Sequence, residues 1–246
     1  MTTSGRRPGG PADFAAADLN LVETLHSLDG AVNYADWVYS AIQPHLGSNV
    51  LEVGAGHGTL TGRLARGRKV TATDLSPRCV AVLRERFAND AVAVVHADLT
   101  ASADLGTFDS VVLVNVLEHI EDDERSVVQA SRALRPGGRL IVFVPAFDAL
   151  YSEFDRRVGH HRRYRKADLQ ALADAAGLAP IEARYMNSLG AVAWWLFATK
   201  LGRTPTTRWP VLLYDRAVVR ALRRIEQRWE PPFGQSLLCV ACRPAG

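Results

Sequence analysis

Three carboxylic acids and a run of alternate glycines are the first residues in this chain with chemistry to offer. In VLEVGAGHGTLTG, residues 50–62, Gly54, Gly56 and Gly58 follow an apolar run, with Glu52 just ahead of them. Glycine lets a backbone turn sharply and approach a ligand closely. The spacing is GxGxG with Thr59 next, so it is not the GxGxxG of a dinucleotide fingerprint. Nor is it a Walker loop, which needs GlyLys followed by Ser or Thr. Asp74 stands about where an acidic residue accepts hydrogen bonds from ribose hydroxyls. Asp98, in HisAlaAspLeu, is placed to accept from an adenine amino group, and Glu52 to hold an ammonium group through water. Three carboxylates around one crevice suit a nucleoside with a positively charged tail, and would repel pyrophosphate. Taken singly, Asp74 also reads as a cap for the helix behind Ser76, and Asp98 as a cap for a turn.

Histidines form the second group. His119 follows Glu118 where a strand gives way to a helix, and His160 and His161 lie in YSEFDRRVGHHRRY, residues 151–164. Histidine takes a proton near neutral pH, which an alcohol or phenol nucleophile must lose on reaction. The plainer role for His119 is structural hydrogen bonding, and one of the pair can anchor its segment while the other faces substrate. Arg156, Arg157, Arg162, Arg163, Arg165 and Lys166 crowd the same stretch. They are either a solvated face or a grip on an acidic or phosphate-bearing substrate. No metal is expected: Cys239 and Cys242 form a CxxC with no second pair for zinc, and read as strand residues.

Alternating elements must position these groups. Short apolar runs rich in β-branched residues predict strands at 49–53, 69–73, 92–96, 110–116, 139–144, 180–186 and 235–241. Amphipathic stretches predict helices at 60–66, 77–88, 124–134 and 166–176, with further helices across 14–46. ArgProGlyGly, residues 135–138, is expected to close the third of these helices and turn the chain into the fifth strand. Near-continuous apolar strands between helices mean a parallel sheet covered on both faces. Ligands then sit beyond the carboxyl ends of the strands, where the first strand meets the glycines.

The division expected is a mobile tail at 1–13 and a single domain at 14–246. That domain carries a lid at 146–165 and a helical insertion at 188–232, since loops this long are usually functional or disordered. The insertion holds AVAWWLFA, residues 191–198, too short to span a bilayer but unusually aromatic. A helix follows with an apolar stripe of Val211, Tyr214, Val218, Leu222, Ile225 and Trp229, and five arginines on much of the rest. It reads as a cap walling the substrate pocket, or as contact with a membrane surface or a lipid-linked acceptor.

Composition excludes several classes. The chain has 246 residues, 48% hydrophobic and 22% charged, enough for one sizeable core. A net charge of +3 is too small to imply nucleic acid by itself, and three cysteines argue against a disulfide framework. The start has an arginine pair but no apolar core after it, so it is read as no secretory signal. With no apolar run of membrane-spanning length, the expected compartment is the cytoplasm.

Together these residues resemble the class I S-adenosylmethionine-dependent methyltransferases. VLEVGAGHG matches the family's first motif, Asp74 its ribose acid, and HisAlaAspLeu its adenine contact. VNVLEHI, residues 114–120, looks like the segment lining the sulfonium, and LRPGGRL, 134–140, like the lead-in to the fifth strand. The resemblance implies a Rossmann-like, doubly wound seven-stranded α/β sheet with N-terminal helices and a helical insertion before the last strand. It implies S-adenosylmethionine as cofactor, contacted by Glu52, Gly54, Ala55, Gly56, Gly58, Asp74, Leu75, Asp98, Leu99, Asn115 and Val116. Tyr34 joins them as an aromatic face for the sulfonium, or else packs under a helix. His119, His160 and His161 are the candidates for catalysis.

GHHRRY resembles a subgroup acting on lipids, sugars or small molecules. The expected reaction is methyl transfer to an oxygen or nitrogen of a small-molecule, sugar or lipid-linked acceptor, with peripheral membrane contact possible. The alternatives are non-methylating use of the cofactor by a cyclase or lyase, and an RNA or ribosome methyltransferase. Against the last, AsnValLeuGlu stands where amino-methylating nucleic-acid enzymes show Asp or Asn, then ProPro and an aromatic residue.

Overall fold

A computed structural model describes residues 31–99, 105–201 and 212–245. The expected tail at 1–13, the helical reading of 14–30, and Val211 lie outside the described residues. Seven strands form one sheet in the order β3-β2-β1-β4-β5-β7-β6. They are β1 (Asn49–Val53), β2 (Lys69–Asp74), β3 (Val92–His96), β4 (Phe108–Val114), β5 (Leu134–Pro145), β6 (Ala179–Met186) and β7 (Ser236–Cys242). The first five run parallel, and β7 enters antiparallel between β5 and β6. The chain leaves β1 toward β2 on one side and later returns to pair β4 on the other. That reversal opens a crevice at the carboxyl ends of β1 and β4.

Alternation along the strands supplies two cores. Val50, Val70, Ala72, Val112, Ile141, Phe143, Leu238 and Val240 point to one face. Leu51, Val53, Val111, Leu113, Val142, Val144 and Cys239 point to the other. The first face is covered by α1 (Val32–Ile42), α2 (Thr61–Leu64) and α3 (Pro77–Arg86), the second by α4 (Asp123–Arg132) and, beyond α5 (Glu153–Arg157), α6 (Lys166–Ala175). Ser76 caps α3 by accepting from the Cys79 amide, with Pro77 at the first helical position. Cys239 and Cys242 are both free thiols in β7, as their strand reading requires.

Two local expectations change. ArgProGlyGly does not precede the fifth strand but bulges from within it, since the register jumps from Phe108 opposite Leu134 to Ser110 opposite Arg139. A side chain at Gly138 would meet the carbonyl oxygens of Arg135, Phe108 and Asp109, so the bulge needs glycine there.

The second change is in the insertion. There α7 (Ser188–Trp194) runs on as a π-helical stretch, Trp195–Lys200, and another, Asp215–Val219, leads into α8 (Arg220–Glu226). From Asp215 through α8 the buried residues are Asp215, Val219, Leu222 and Glu226, a helical stripe rotated from the expected one, while Ile225 and Trp229 are exposed. The two buried acids cap other helices. Asp215 accepts from the Asn33 and Tyr34 amides at the start of α1, which has no side-chain cap of its own. Glu226 accepts from the Asn187 and Ser188 amides at the start of α7.

Candidate functional site

At the crevice, Gly54, Gly56 and Gly58 all take left-handed backbone, with φ of 67°, 56° and 81°. A side chain at Gly54 would collide with Val116, so the loops after β1 and β4 touch. One at Gly58 would meet Phe87 at 2.5 Å. The Ala55 amide donates to the Thr73 carbonyl and the Gly56 amide to Asp74 Oδ2, at 2.9 and 2.8 Å. Asp74 Oδ1 accepts from the Ser76 amide at 2.9 Å. Asp74 thus clamps the glycine loop to the entry of α3.

Glu52, directly before the loop, is buried and accepts from Thr61 Oγ1 at 2.6 Å. Burial pushes its carboxyl up to about 8; the Thr61 hydroxyl opposes this and the Asp74 charge adds to it. The folded chain therefore holds a proton here that the unfolded chain has lost. This stabilisation is full below about pH 4.5 and gone above about 8. Should Glu52 face a ligand's ammonium, binding below pH 8 must expel that proton. Affinity for S-adenosylhomocysteine is then expected to rise up to about tenfold per pH unit from 6 to 8. Glu52→Gln should flatten the slope in calorimetry, and an equal slope in both proteins would contradict this role.

The remaining predicted contacts sit around these. Asp98 and Leu99 are half-buried just beyond β3, with Leu99 against the second core. Leu75 is exposed and its carbonyl meets His96 Nε2 at 2.8 Å. Asn115 is exposed at φ 54°, a left-handed turn that asparagine tolerates, and Val116 follows it. Tyr34 packs edge-on against Trp37 and Phe143, with its hydroxyl 3.0 Å from Ser236 Oγ. Burial raises its phenol to about 12.

A second cluster gathers where β4 ends. The His119 and His160 rings meet edge to face at 4.6 Å, whereas His161 is exposed and its amide donates to the Glu118 carbonyl. Burial drives His119 down to about 3, helped by His160, so it is a neutral imidazole. Glu118 is fully buried, and neither carboxylate oxygen has a hydrogen-bond partner among the described residues. Burial lifts its carboxyl to about 8, against the Arg163 charge.

Sequence reading missed the residue that organises this corner, Asp155. It meets His160 Nδ1 at 2.8 Å, accepts from Arg163 Nε and its terminal nitrogen at 2.9 and 3.1 Å, and accepts from the Ser152 amide and hydroxyl. Burial alone would raise its carboxyl, but His160, Arg163 and Ser152 hold it near 2. The signal was available: SerGluPheAsp, 152–155, has capping-box spacing.

The arginines divide differently from either expectation. Arg163 is buried on Asp155 and lies over the Trp194 ring, so it is neither a solvated charge nor a free fork. Arg162 pairs with Asp123 and donates to the Glu121 carbonyl, while Arg156, Arg157 and Arg165 are exposed. Residues 146–165 are fastened to β4's end through Tyr164, whose hydroxyl donates to the Leu117 carbonyl and to Asp123.

S-adenosylmethionine fits this site: the loop offers bare backbone, and the surrounding acids suit a cationic tail. Residues 51–142 match the family model of the methyltransferase domain. The ubiquinone biosynthesis O-methyltransferase of Xanthomonas oryzae is 37% identical over 101 residues, covering 39% of this chain and 42% of that protein. The demethylmenaquinone methyltransferase of Tropheryma whipplei is 35% identical over 120 residues, covering 44% and 49%. The chain thus spans less than half the length of each. A Haloferax volcanii chain solved with the Trm112 methyltransferase activator superposes with a TM-score of 0.66 at 17% identity, covering 94% of this chain and 96% of that one. Residues 51–142 are thus similar to a methyltransferase domain, and the chain has the seven-stranded Rossmann-like fold its sequence implied.

Proposed function

We propose that this chain methylates an oxygen on a small-molecule or lipid-linked acceptor. The observation that carries the reading is the Asp155–His160 pair beside His119 at the end of β4. When bound, S-adenosylmethionine supplies a methyl group on a sulfonium. Glu52, Asp74 and Asp98 would hold its ammonium, ribose and adenine, and the glycine loop would let its tail approach the backbone. Asp155 accepts the Nδ1 proton of His160, which leaves Nε2 free to take the acceptor's proton. Alignment contributes more than this base, up to about 7 to 11 kcal/mol against 10²-fold to 10⁴-fold. The two relatives, named for ubiquinone biosynthesis and for demethylmenaquinone, support a small acceptor.

The chain would act as a single domain over 14–246, roofed by 146–165 and walled by the insertion at 188–232. The exposed Trp195, Phe197 and Trp229 support a lipid-linked acceptor and peripheral attachment at the cytoplasmic face of a membrane. Among the described residues no helix is long and apolar enough to cross one. Incubation with S-adenosylmethionine and a panel of hydroxylated aromatic and lipid-linked acceptors should yield S-adenosylhomocysteine in step with methylated product. Cofactor consumed without S-adenosylhomocysteine would overturn methyl transfer. Flotation with anionic vesicles tests the attachment, and no binding at low salt would end it.

A further inference from the structure

The geometry points to a divalent transition-metal site formed by Glu118, His119 and His160. One ligand atom from each lies within 4.8 Å of the others. The sequence hides the set, since Glu118 and His119 adjoin while His160 lies far along the chain in a different connection.

Glu118 supplies the independent observation. A fully buried carboxyl with no partner on either oxygen is costly to keep, and it faces the two imidazoles, with Oε1 3.9 Å from His160 Nε2. His160 carries the outer support that metal-bound histidines show: its Nδ1 is held by Asp155, which leaves Nε2 for another partner. Arg163 and Ser152 fix Asp155 in turn.

Tetrahedral ligand atoms about 2.1 Å from one ion lie about 3.4 Å apart, so the widest pair of the set must close by up to about 1.4 Å. Two imidazoles and a carboxylate suit zinc, cobalt, manganese or iron(II), and leave coordination positions open. In the metal-loaded protein an open position would take the acceptor's hydroxyl and acidify it, the proton passing to solvent, whereas in the metal-free protein His160 keeps the role of base given above. This last role rests on the methyl-transfer reading; the metal site does not.

The test uses the full chain stripped with chelator, then titrated with Co²⁺ and with Zn²⁺, with S-adenosylhomocysteine binding measured in parallel. One Co²⁺ per chain is expected, with visible absorption bands of a nitrogen- and oxygen-bound ion. His119→Ala and Glu118→Gln should each weaken Co²⁺ about 100-fold while circular dichroism and a cooperative melt show that the variants fold. Wild-type protein that binds S-adenosylhomocysteine but neither ion would overturn the metal site and leave the proposed function standing. Equal Co²⁺ affinity in wild type and His119→Ala would overturn it as well. Co²⁺ bound at this site by protein that takes no S-adenosylhomocysteine would support the site and overturn the functional reading instead.

Discussion

Replacing Asp74 with alanine is expected to weaken S-adenosylhomocysteine binding about 1,000-fold in calorimetry. Each hydrogen bond from a ribose hydroxyl to the ionised carboxylate is worth about 1.5 to 3 kcal/mol, so two supply roughly the 4 kcal/mol of that factor. The same carboxylate accepts from the Gly56 and Ser76 amides, so its loss also leaves two donors unpaired and frees the loop to move. Asp74→Asn keeps the shape and one acceptor oxygen, and should fall between, at about 30-fold. Both variants should melt within a few degrees of wild type, because Asp74 is only half-buried. A loss below about fivefold in Asp74→Ala would mean that this acid serves only as a cap.

The second large effect is on stability. Asp155→Ala is expected to cost about 3 to 5 kcal/mol in urea unfolding, since it strands the buried Arg163 guanidinium without its counter-charge. It also removes the capping box of α5 and the partner of His160 Nδ1. Arg163→Ala should cost comparably, because the Asp155 charge is then the one left buried. The double variant should cost less than the sum of the two, as for residues sharing one ion pair. A destabilisation of Asp155→Ala under about 1 kcal/mol would show that water replaces Arg163's partner readily. Cofactor binding should survive in the fraction that remains folded, since Asp155 belongs to the segment after β5 and not to the glycine loop.

The strands were legible because each is a short apolar run whose alternate residues face two different cores. Asn49–Val53 and Val92–His96 match the expected limits, and the others differ by a few residues at most except β5. There the ArgProGlyGly bulge stays within the strand, because ladder pairing resumes at Arg139 after an interruption that turn residues alone do not distinguish from a loop. The insertion was misread for a different reason. The expected stripe and the buried one share a helical period, but the helix is turned so that two acids point inward, each capping another helix. Local pattern gives no hint that Asp215 will be buried at the start of a helix 182 positions earlier. Asp155 is similar: its cap spacing is local and readable, but its ion pair and its grip on His160 depend on how the segment folds back. The glycine loop, Asp74 and the histidines stood out in the sequence because their types are chemically unusual at strand ends. Which of the histidines stand together, His119 with His160 and not the exposed His161, needed coordinates.

A crystal structure with S-adenosylhomocysteine bound tests the central claim most directly. The account predicts both ribose hydroxyls on Asp74, the adenine amino group at Asp98, and the ammonium beside Glu52 above the glycine loop. A nucleoside lodged anywhere else, or one lying in the crevice with those three acids turned from it, would contradict it.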